Sequence, residues 1–317
     1  MAELATVWLM TARAGRLVVR CPAKVNLHLE VLGRRPDGYH EVRTLLAAVG
    51  VWDTLIMEPG DEGVGLEVRP AGVAPAGEDN LVVRAARQLQ RRSGTRLGAR
   101  LILHKRIPVA GGMGGGSSNA AAALVGLNQL WGLGAGLAEL QAMASALGAD
   151  VPFFLLGGVA WGTGRGDELQ ALPNLPPWWV VLLPGPVPVS TAEVYASLGA
   201  PPLRPAPPSP IYDCVRRGGS LPLESCRNDL EPAVMERFPE VRERLEALAG
   251  EHPRLAMLSG SGGTVFALLD DEAGARACAG RCAGRGALVA PLLTREASQL
   301  RPLAGEETWK LPMSGSP

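Results

Sequence analysis

Apolar and polar positions change period several times along the chain, and each change marks an element. Leu17 to Leu32 is rich in Val and Leu and ends in Gly33-Arg34-Arg35-Pro36-Asp37-Gly38. That is a strand running into a turn, with a second strand expected beyond it. Leu81 to Leu89 has apolar residues at helical spacing, and Leu101-Ile102-Leu103-His104-Lys105-Arg106-Ile107 reads as a strand that stops at Pro108. Ala120 to Leu130 favours helix strongly, and Ser117 or Ser118 can cap it, so a helix is predicted to begin there. Ala138 to Leu147 reads as another helix, broken by Gly148-Ala149-Asp150-Val151-Pro152.

The second half alternates again. Trp178 to Leu183 is apolar throughout, as a fully buried strand would be, and Pro201 to Pro210 reads as a proline-rich linker or surface loop. A helix from Glu231 with Pro232 in its first turn is followed by a strand over Leu255 to Leu258 and a glycine loop. A strand over Thr264 to Leu269 and a helix across Ala273 to Cys282 complete the pattern. The layout is α+β. A boundary between Gln170 and Pro177 predicts domains over residues 17–172 and 173–300, preceded by an extension over 1–16, disordered or an artefact of the assigned start, and followed by a tail over 301–317.

Composition narrows the function classes. A chain of 317 residues, 47% of them hydrophobic, can bury a substantial core. Lys plus Arg and Asp plus Glu both total 31, so no basic field recommends nucleic acid or an anionic membrane as partner, and an anionic substrate needs a local site. Five cysteines, an odd number spread over a long chain, read as reduced thiols in a cytoplasmic protein. Cys278 and Cys282 share a helical face but have no second pair nearby to complete a zinc site, so core packing is the better reading. The apolar run Leu4 to Met10 lacks a basic start, and Trp178 to Leu183 is far too short to span a bilayer, so no membrane is expected.

The strongest chemical signal is Pro108-Val109-Ala110-Gly111-Gly112-Met113-Gly114-Gly115-Gly116-Ser117-Ser118-Asn119, between a predicted strand and a predicted helix. Glycines there let backbone approach a ligand closely, and a helix start offers free N–H groups and a positive dipole end, which together suit a polyphosphate. A Walker A loop would need Gly-Lys-Ser/Thr, and here Ser117 follows Gly116 directly. No frame of the run gives the first, third and sixth glycines of a Rossmann fingerprint. A flexible linker would not normally join a strand ending in proline to an alanine-rich helix.

This run resembles the phosphate-binding second motif of the GHMP kinases. Pro22-Ala23-Lys24-Val25-Asn26-Leu27 looks like their first motif and Leu258-Ser259-Gly260-Ser261-Gly262-Gly263-Thr264 like their third, in the family's order. Asp37-Gly38-Tyr39-His40-Glu41, Gly148 to Phe153 and Asn228-Asp229-Leu230-Glu231-Pro232 are similar to segments of the diphosphocytidyl-methylerythritol kinases within that superfamily. The resemblance covers about Leu17 to Arg295. It implies a ribosomal-protein-S5-like first domain and a ferredoxin-like second, with the site in the cleft between them.

It also implies roles. Phosphoryl transfer has a loose transition state, so catalysis needs alignment, charge neutralisation and a partner for the hydroxyl proton. By resemblance Asp150 accepts or orients that hydroxyl, and Lys24 beside it offsets charge on the transferring group. Taken alone, Asp150 is a helix-stop aspartate and Lys24 a surface lysine. ATP would lie along Pro108 to Ser118 with Mg²⁺ bridging its phosphates, Asn80, Leu81 and Lys105 lining the adenine end, although strand alternation points Lys105 at solvent. Tyr39 and Tyr195 would sandwich a cytosine, His40 would read its edge, and Asn26 and Thr191 would contact the polar tail of a small-molecule cytidine diphosphate alcohol. A core tyrosine on a helix from Thr191 to Leu198 is the other reading of Tyr195.

Three functions stay open: the cytidine-specific kinase, another GHMP kinase acting on homoserine, mevalonate or a sugar, and a non-enzymatic RNA-binding protein of S5-like fold. Tyr39-His40 and Asp150-Val151-Pro152 favour the first, and zero net charge argues against the third. A monomer or weak homodimer is expected.

Overall fold

The computed structural model describes residues 15–199, 203 and 208–304. Most of the predicted extension, most of the proline-rich stretch 201–210 and residues 305–317 of the tail lie outside them.

Two long strands form the spine, β1 (Leu17–Arg34) and β2 (His40–Glu62), antiparallel through the turn at residues 35–39. After β3 (Val64–Arg69), helix α1 (Leu81–Ser93) starts where the Asn80 side chain accepts from Val82 N at 2.9 Å, and it stops at Gly94, whose φ of 72° is left-handed. Then come β4 (Leu97–His104), α2 (Gly115–Leu130), α3 (Leu137–Leu147), α4 (Val151–Leu156), β5 (Val159–Thr163) and β6 (Glu168–Leu172). Among the described residues the first sheet has seven strands, in the order β11 (Leu303–Ala304), β1, β2, β4, β3, with β5 on β2 and β6 on β5. Its last member, β11, brings the start of the predicted tail back onto β1.

The second sheet has the order β10-β7-β9-β8, from β7 (Trp179–Leu183), β8 (Leu255–Leu258), β9 (Val265–Leu269) and β10 (Leu288–Pro291). Helices α5 (Thr191–Ser197), α6 (Pro210–Arg216), α7 (Glu231–Arg237), α8 (Pro239–Ala249) and α9 (Glu272–Arg281) lie between its strands in sequence, and α10 (Arg295–Ser298) follows.

Among the described residues, three large buried clusters hold the layers. Leu55, Met57, Leu101 and Leu103 of the first sheet pack on Ala86, Leu89 and Ala120 to Leu124 of the helices. Val25, Leu27, Leu45 and Ala47 on its other face meet Val180, Leu182, Phe266 and Leu268 of the second sheet. Val181, Leu183 and Ala267 then turn outward onto Val234, Val241, Leu248 and Ala275. Helix α2 is buried nearly all round, and at Gly126 a Cβ would sit 2.0 Å from Met57 Cε, so the end of the Met57 side chain occupies the space that a larger residue there would need.

Several boundaries differ from those read in the sequence. Helix α2 begins at Gly115, ahead of Ser117 and Ser118, with Gly114 at φ 68° as its cap and no side-chain capping bond. The break at Gly148 to Pro152 is itself the start of α4, because proline in a first turn gives up no needed N–H. Strand β4 ends at His104; Lys105, Arg106 and Ile107 leave it because the Arg106 and Ile107 amides donate to Asp53 Oδ1, at 2.7 and 2.9 Å.

Candidate active site

The glycine run is clamped from below and behind. Asp53 is fully buried and pairs with the ammonium of Lys105, while Asn119 Nδ2 donates to its Oδ2 at 3.0 Å. Lys105 Nζ also donates to Asn119 Oδ1 at 3.1 Å. Lys105 therefore turns inward, correcting the expectation of a solvent-facing lysine: the carboxylate ties β2, the end of β4 and the first turns of α2 together. Breaking such a buried pair costs roughly 3–5 kcal/mol. Behind the run, the loop between β8 and β9 interlocks with it. Thr264 N donates to Gly111 O at 3.2 Å and Ser259 Oγ to Gly112 O at 3.1 Å, and a Cβ on Gly112 would lie 2.1 Å from Ser259 O.

What remains open is the cleft side. Ala110, Gly112 and Gly114 have positive φ, of 56°, 76° and 68°, which turns the chain into α2. Gly116 is exposed, and a Cβ there would meet nothing nearer than Leu81 Cδ1 at 3.8 Å. Ser117 lines the cleft, and Ser118 Oγ is buried without a hydrogen-bond partner. Met113 is buried, and its carbonyl accepts from Lys24 N at 3.0 Å; Val109, by contrast, is exposed. An uncapped helix start with an open glycine face fits a polyphosphate. The side chain of Asn80 is engaged at both ends, with Nδ2 donating to Pro75 O at 2.6 Å while Oδ1 caps α1.

Alternation along β1 puts Lys24 and Asn26 on one face. Lys24 Nζ donates to Asn26 Oδ1 at 2.5 Å and lies 3.5 Å from Asp150 Oδ2. Asn26 Nδ2 in turn donates to Thr44 Oγ1 at 2.8 Å, and Thr44 Oγ1 to His28 O at 2.8 Å. Lys24 is almost wholly buried, whereas the Asp150 side chain is 41% exposed at the cap of α4 and makes no capping bond. A buried ammonium beside an accessible carboxylate is an arrangement for accepting a proton and neutralising a transferring anion.

Tyr39, His40, Thr191 and Tyr195 line the same cavity, of about 890 Å³. Tyr39 stands exposed with the Arg165 guanidinium 5.0 Å from its ring centroid. His40 lies against Tyr195, centroids 5.0 Å apart and planes tilted by 33°, so the tyrosine face expected to stack a base is covered by imidazole. Burial, then Arg34, lowers the His40 pKa, leaving a neutral ring with one donor and one acceptor. Burial, then Asp150, raises the pKa of the Tyr195 hydroxyl. Thr191 Oγ1 is 2.6 Å from Ser261 Oγ, so α5 and the loop between β8 and β9 meet at the cavity wall.

Arg34 and Arg165 line the cavity and were missed in the sequence. Among the described residues Asp150 is the one carboxylate lining the cavity beside Lys24 and Arg34, while Arg165 is already paired with Asp167 at 2.5 Å, so Lys24 and Arg34 carry most of any local attraction for an anion. Only the position of Arg165 between Gly164 and Gly166 hinted at a special turn.

Comparison with known proteins decides the lineage. The chain matches the model of the GHMP kinases N terminal domain over residues 80–158 and that of the GHMP kinases C terminal domain over 216–287. It is 44% identical over 263 residues to the 4-diphosphocytidyl-2-C-methyl-D-erythritol kinase of Pelotomaculum thermopropionicum, covering 82% of this chain and 91% of the relative. The chain belongs to the 4-diphosphocytidyl-2-C-methyl-D-erythritol kinase family. The namesake of Syntrophotalea carbinolica is 43% identical over 267 residues, covering 83% and 93%. A crystal structure of a 4-(cytidine 5'-diphospho)-2C-methyl-D-erythritol kinase superposes with a TM-score of 0.72 at 36% identity, covering 87% of this chain and 98% of that one. The homoserine kinase of Cytophaga hutchinsonii, at TM-score 0.68 and 19% identity, shares the fold. As a member of this kinase family the chain has the two-domain α+β fold and is an ATP-dependent small-molecule kinase.

Proposed function

We propose that this kinase phosphorylates the 2-hydroxyl of 4-diphosphocytidyl-2-C-methyl-D-erythritol, in the non-mevalonate route to isoprenoid precursors. The observation that carries the reading is one cavity lined by two chemically distinct groups. Lys24, Asn26 and Asp150 line it together with Ser117 of the first turn of α2, and Tyr39, His40 and Tyr195 give it an aromatic wall. Homoserine or mevalonate would leave the aromatic wall without a partner.

Bound ATP supplies the phosphoryl group. The amides at the start of α2 and the backbone from Pro108 to Ser118 would hold its phosphates, with Leu81 beside Gly116 and Asn80 at the adenine edge. Lys105, committed to Asp53, supports that loop from beneath. Among the described residues no group of three or more His, Cys, Asp or Glu converges, so Mg²⁺ would rest mainly on phosphate oxygens and water, within reach of Asp150. Asp150 accepts the proton of the substrate hydroxyl as its oxygen bonds to the γ-phosphorus and the bond from that phosphorus to the β,γ-bridging oxygen breaks to release ADP, while Lys24 offsets the charge on the transferring oxygens. His40, kept neutral by burial, offers the donor and acceptor that a cytosine edge requires, and Arg34 and Arg165 complement the substrate's diphosphate. Thr191 would touch the polar tail. The reading includes domains over residues 17–172 and 173–300, a cytoplasmic place, a monomer or weak homodimer, and no nucleic-acid partner.

The test is ATP turnover against a panel of a cytidine diphosphate alcohol, homoserine, mevalonate and galactose. Turnover is expected with the first alone; strong activity on any of the others with none on the cytidine compound would refute the substrate assignment.

A further inference from the structure

The segment Asn228-Asp229-Leu230-Glu231-Pro232 has no part in the chemistry above, yet each of its polar side chains ends on the backbone of a segment that carries the site. Asn228 is 5% exposed; its Nδ2 donates to Leu258 O at 3.0 Å and Gly260 O at 2.7 Å, and its Oδ1 accepts from Leu230 N at 3.0 Å. Glu231 Oε2 accepts from Leu258 N at 2.7 Å. On the other side, Asp229 Oδ2 accepts from Val31 N at 2.8 Å, and backbone bonds join Leu29 N to Arg227 O and Asp229 N to Leu29 O. The segment is a clasp, with one edge on β1 and the other on the loop that follows β8.

That loop covers the reacting end of the cleft. A Cβ on Gly260, whose φ is 60°, would lie 3.1 Å from Asn26 Oδ1 and 3.3 Å from Lys24 Nζ. Gly260 therefore faces the ammonium and the carboxamide that orients it across a gap that a single added methyl would fill. We propose that Asn228 is a positioning residue for phosphoryl transfer, its carboxamide fixing the Gly260 carbonyl so that the loop shields Lys24 and holds it toward Asp150. The geometry asks for two donors and one acceptor from one short side chain, which asparagine alone provides. Aspartate of the same shape would set oxygen against two carbonyl oxygens, and serine could bond only one.

The kinetic part of the test rests on the kinase reading above, while the labelling part does not. Asn228→Asp and Asn228→Ser are compared with wild type by melting curve, by the rate at which Lys24 is acetylated by an amine-selective reagent and read by mass spectrometry, and by kcat and the KM for ATP. In Asn228→Asp, Lys24 labelling is expected to rise and kcat to fall, each by roughly tenfold, the scale of one or two lost hydrogen bonds. The KM for ATP should stay within about threefold, and Asn228→Ser should lie between. Folded variants whose Lys24 labels at the wild-type rate overturn the proposal. So does loss of a cooperative melt in both, which would assign Asn228 to folding alone. Faster labelling in a protein whose wild type turns over no cytidine diphosphate alcohol would sink the substrate reading and leave the shielding of Lys24 by the Asn228-held loop standing.

Discussion

Asp150 and Tyr39 are the residues whose replacement speaks most directly to chemistry and to substrate. Asp150 is accessible at the cap of α4 and makes no capping bond, so Asp150→Asn should leave the fold and ATP binding intact while removing the proton acceptor. Single-turnover measurements should show a loss of about a hundredfold to ten-thousandfold, and near-normal turnover would make Asp150 structural. Tyr39 is exposed, and its described ring partner is Arg165, so truncating it should cost little stability. Titration of Tyr39→Ala with a cytidine diphosphate alcohol should show affinity weakened by roughly 1–3 kcal/mol, with ATP affinity nearly unchanged and Tyr39→Phe mild. An unchanged affinity in the folded variant would remove the stacking claim.

Among elements, the loop before α2 has two faces that glycine serves for different reasons. A Cβ on Gly115 would lie 2.9 Å from Ile107 Cγ2 and 3.0 Å from Lys105 Nζ, so Gly115→Val presses into the protein. It should cost about 1–3 kcal/mol of stability, seen as a lowered melting temperature. Gly116 points into open space, so Gly116→Val should leave the melting temperature alone and weaken ATP by about tenfold or more where phosphates meet backbone. Equal effects of the two substitutions on ATP binding at equal stability would show that the run is only a connector. The run was readable in the sequence because glycines before an alanine-rich helix have few other uses. Its support was not: Asp53, which fixes Lys105 and two amides, comes from β2, and nothing local sets it apart from any other aspartate.

Across the whole molecule, the two sheets share a core, and His28 of β1 is held between Trp161 of the first sheet and the backbone of Arg227. Its Nδ1 accepts from Arg227 N at 3.3 Å and its ring stacks on Trp161, centroids 6.0 Å apart. Burial, then Arg227, pushes its pKa down to about 4, with Glu30 and Asp229 opposing and Arg43 adding to the shift. With the folded pKa depressed, the unfolded chain takes up the proton first. Stability is therefore full above about pH 6.5 and falls by roughly 3 kcal/mol as pH drops toward 4. Burial raises the pKa of Glu231, which works the other way over part of this range, so the difference between proteins is the clean measurement. Urea midpoints for His28→Asn, which keeps an acceptor at Nδ1, should show a flatter acid limb than wild type, and parallel limbs would show that His28 does not set it.

The sequence by itself determined the α+β class, both long strands, the helical and strand periods of the larger elements and the place of the glycine run just before α2, because hydrophobic period and glycine placement are local properties. It also carried Lys24 and Asp150, though only through motif resemblance, since nothing in the 125 intervening positions says that a strand lysine and a helix-cap aspartate lie 3.5 Å apart. Tertiary structure decided the rest. It turned Lys105 inward to a buried carboxylate, covered Tyr195 with His40, brought Arg34 and Arg165 into the cleft, and made a clasp of Asn228 to Pro232. Each of these depends on which distant backbone or charge stands opposite a side chain, and that is fixed only when the two sheets close on their common core.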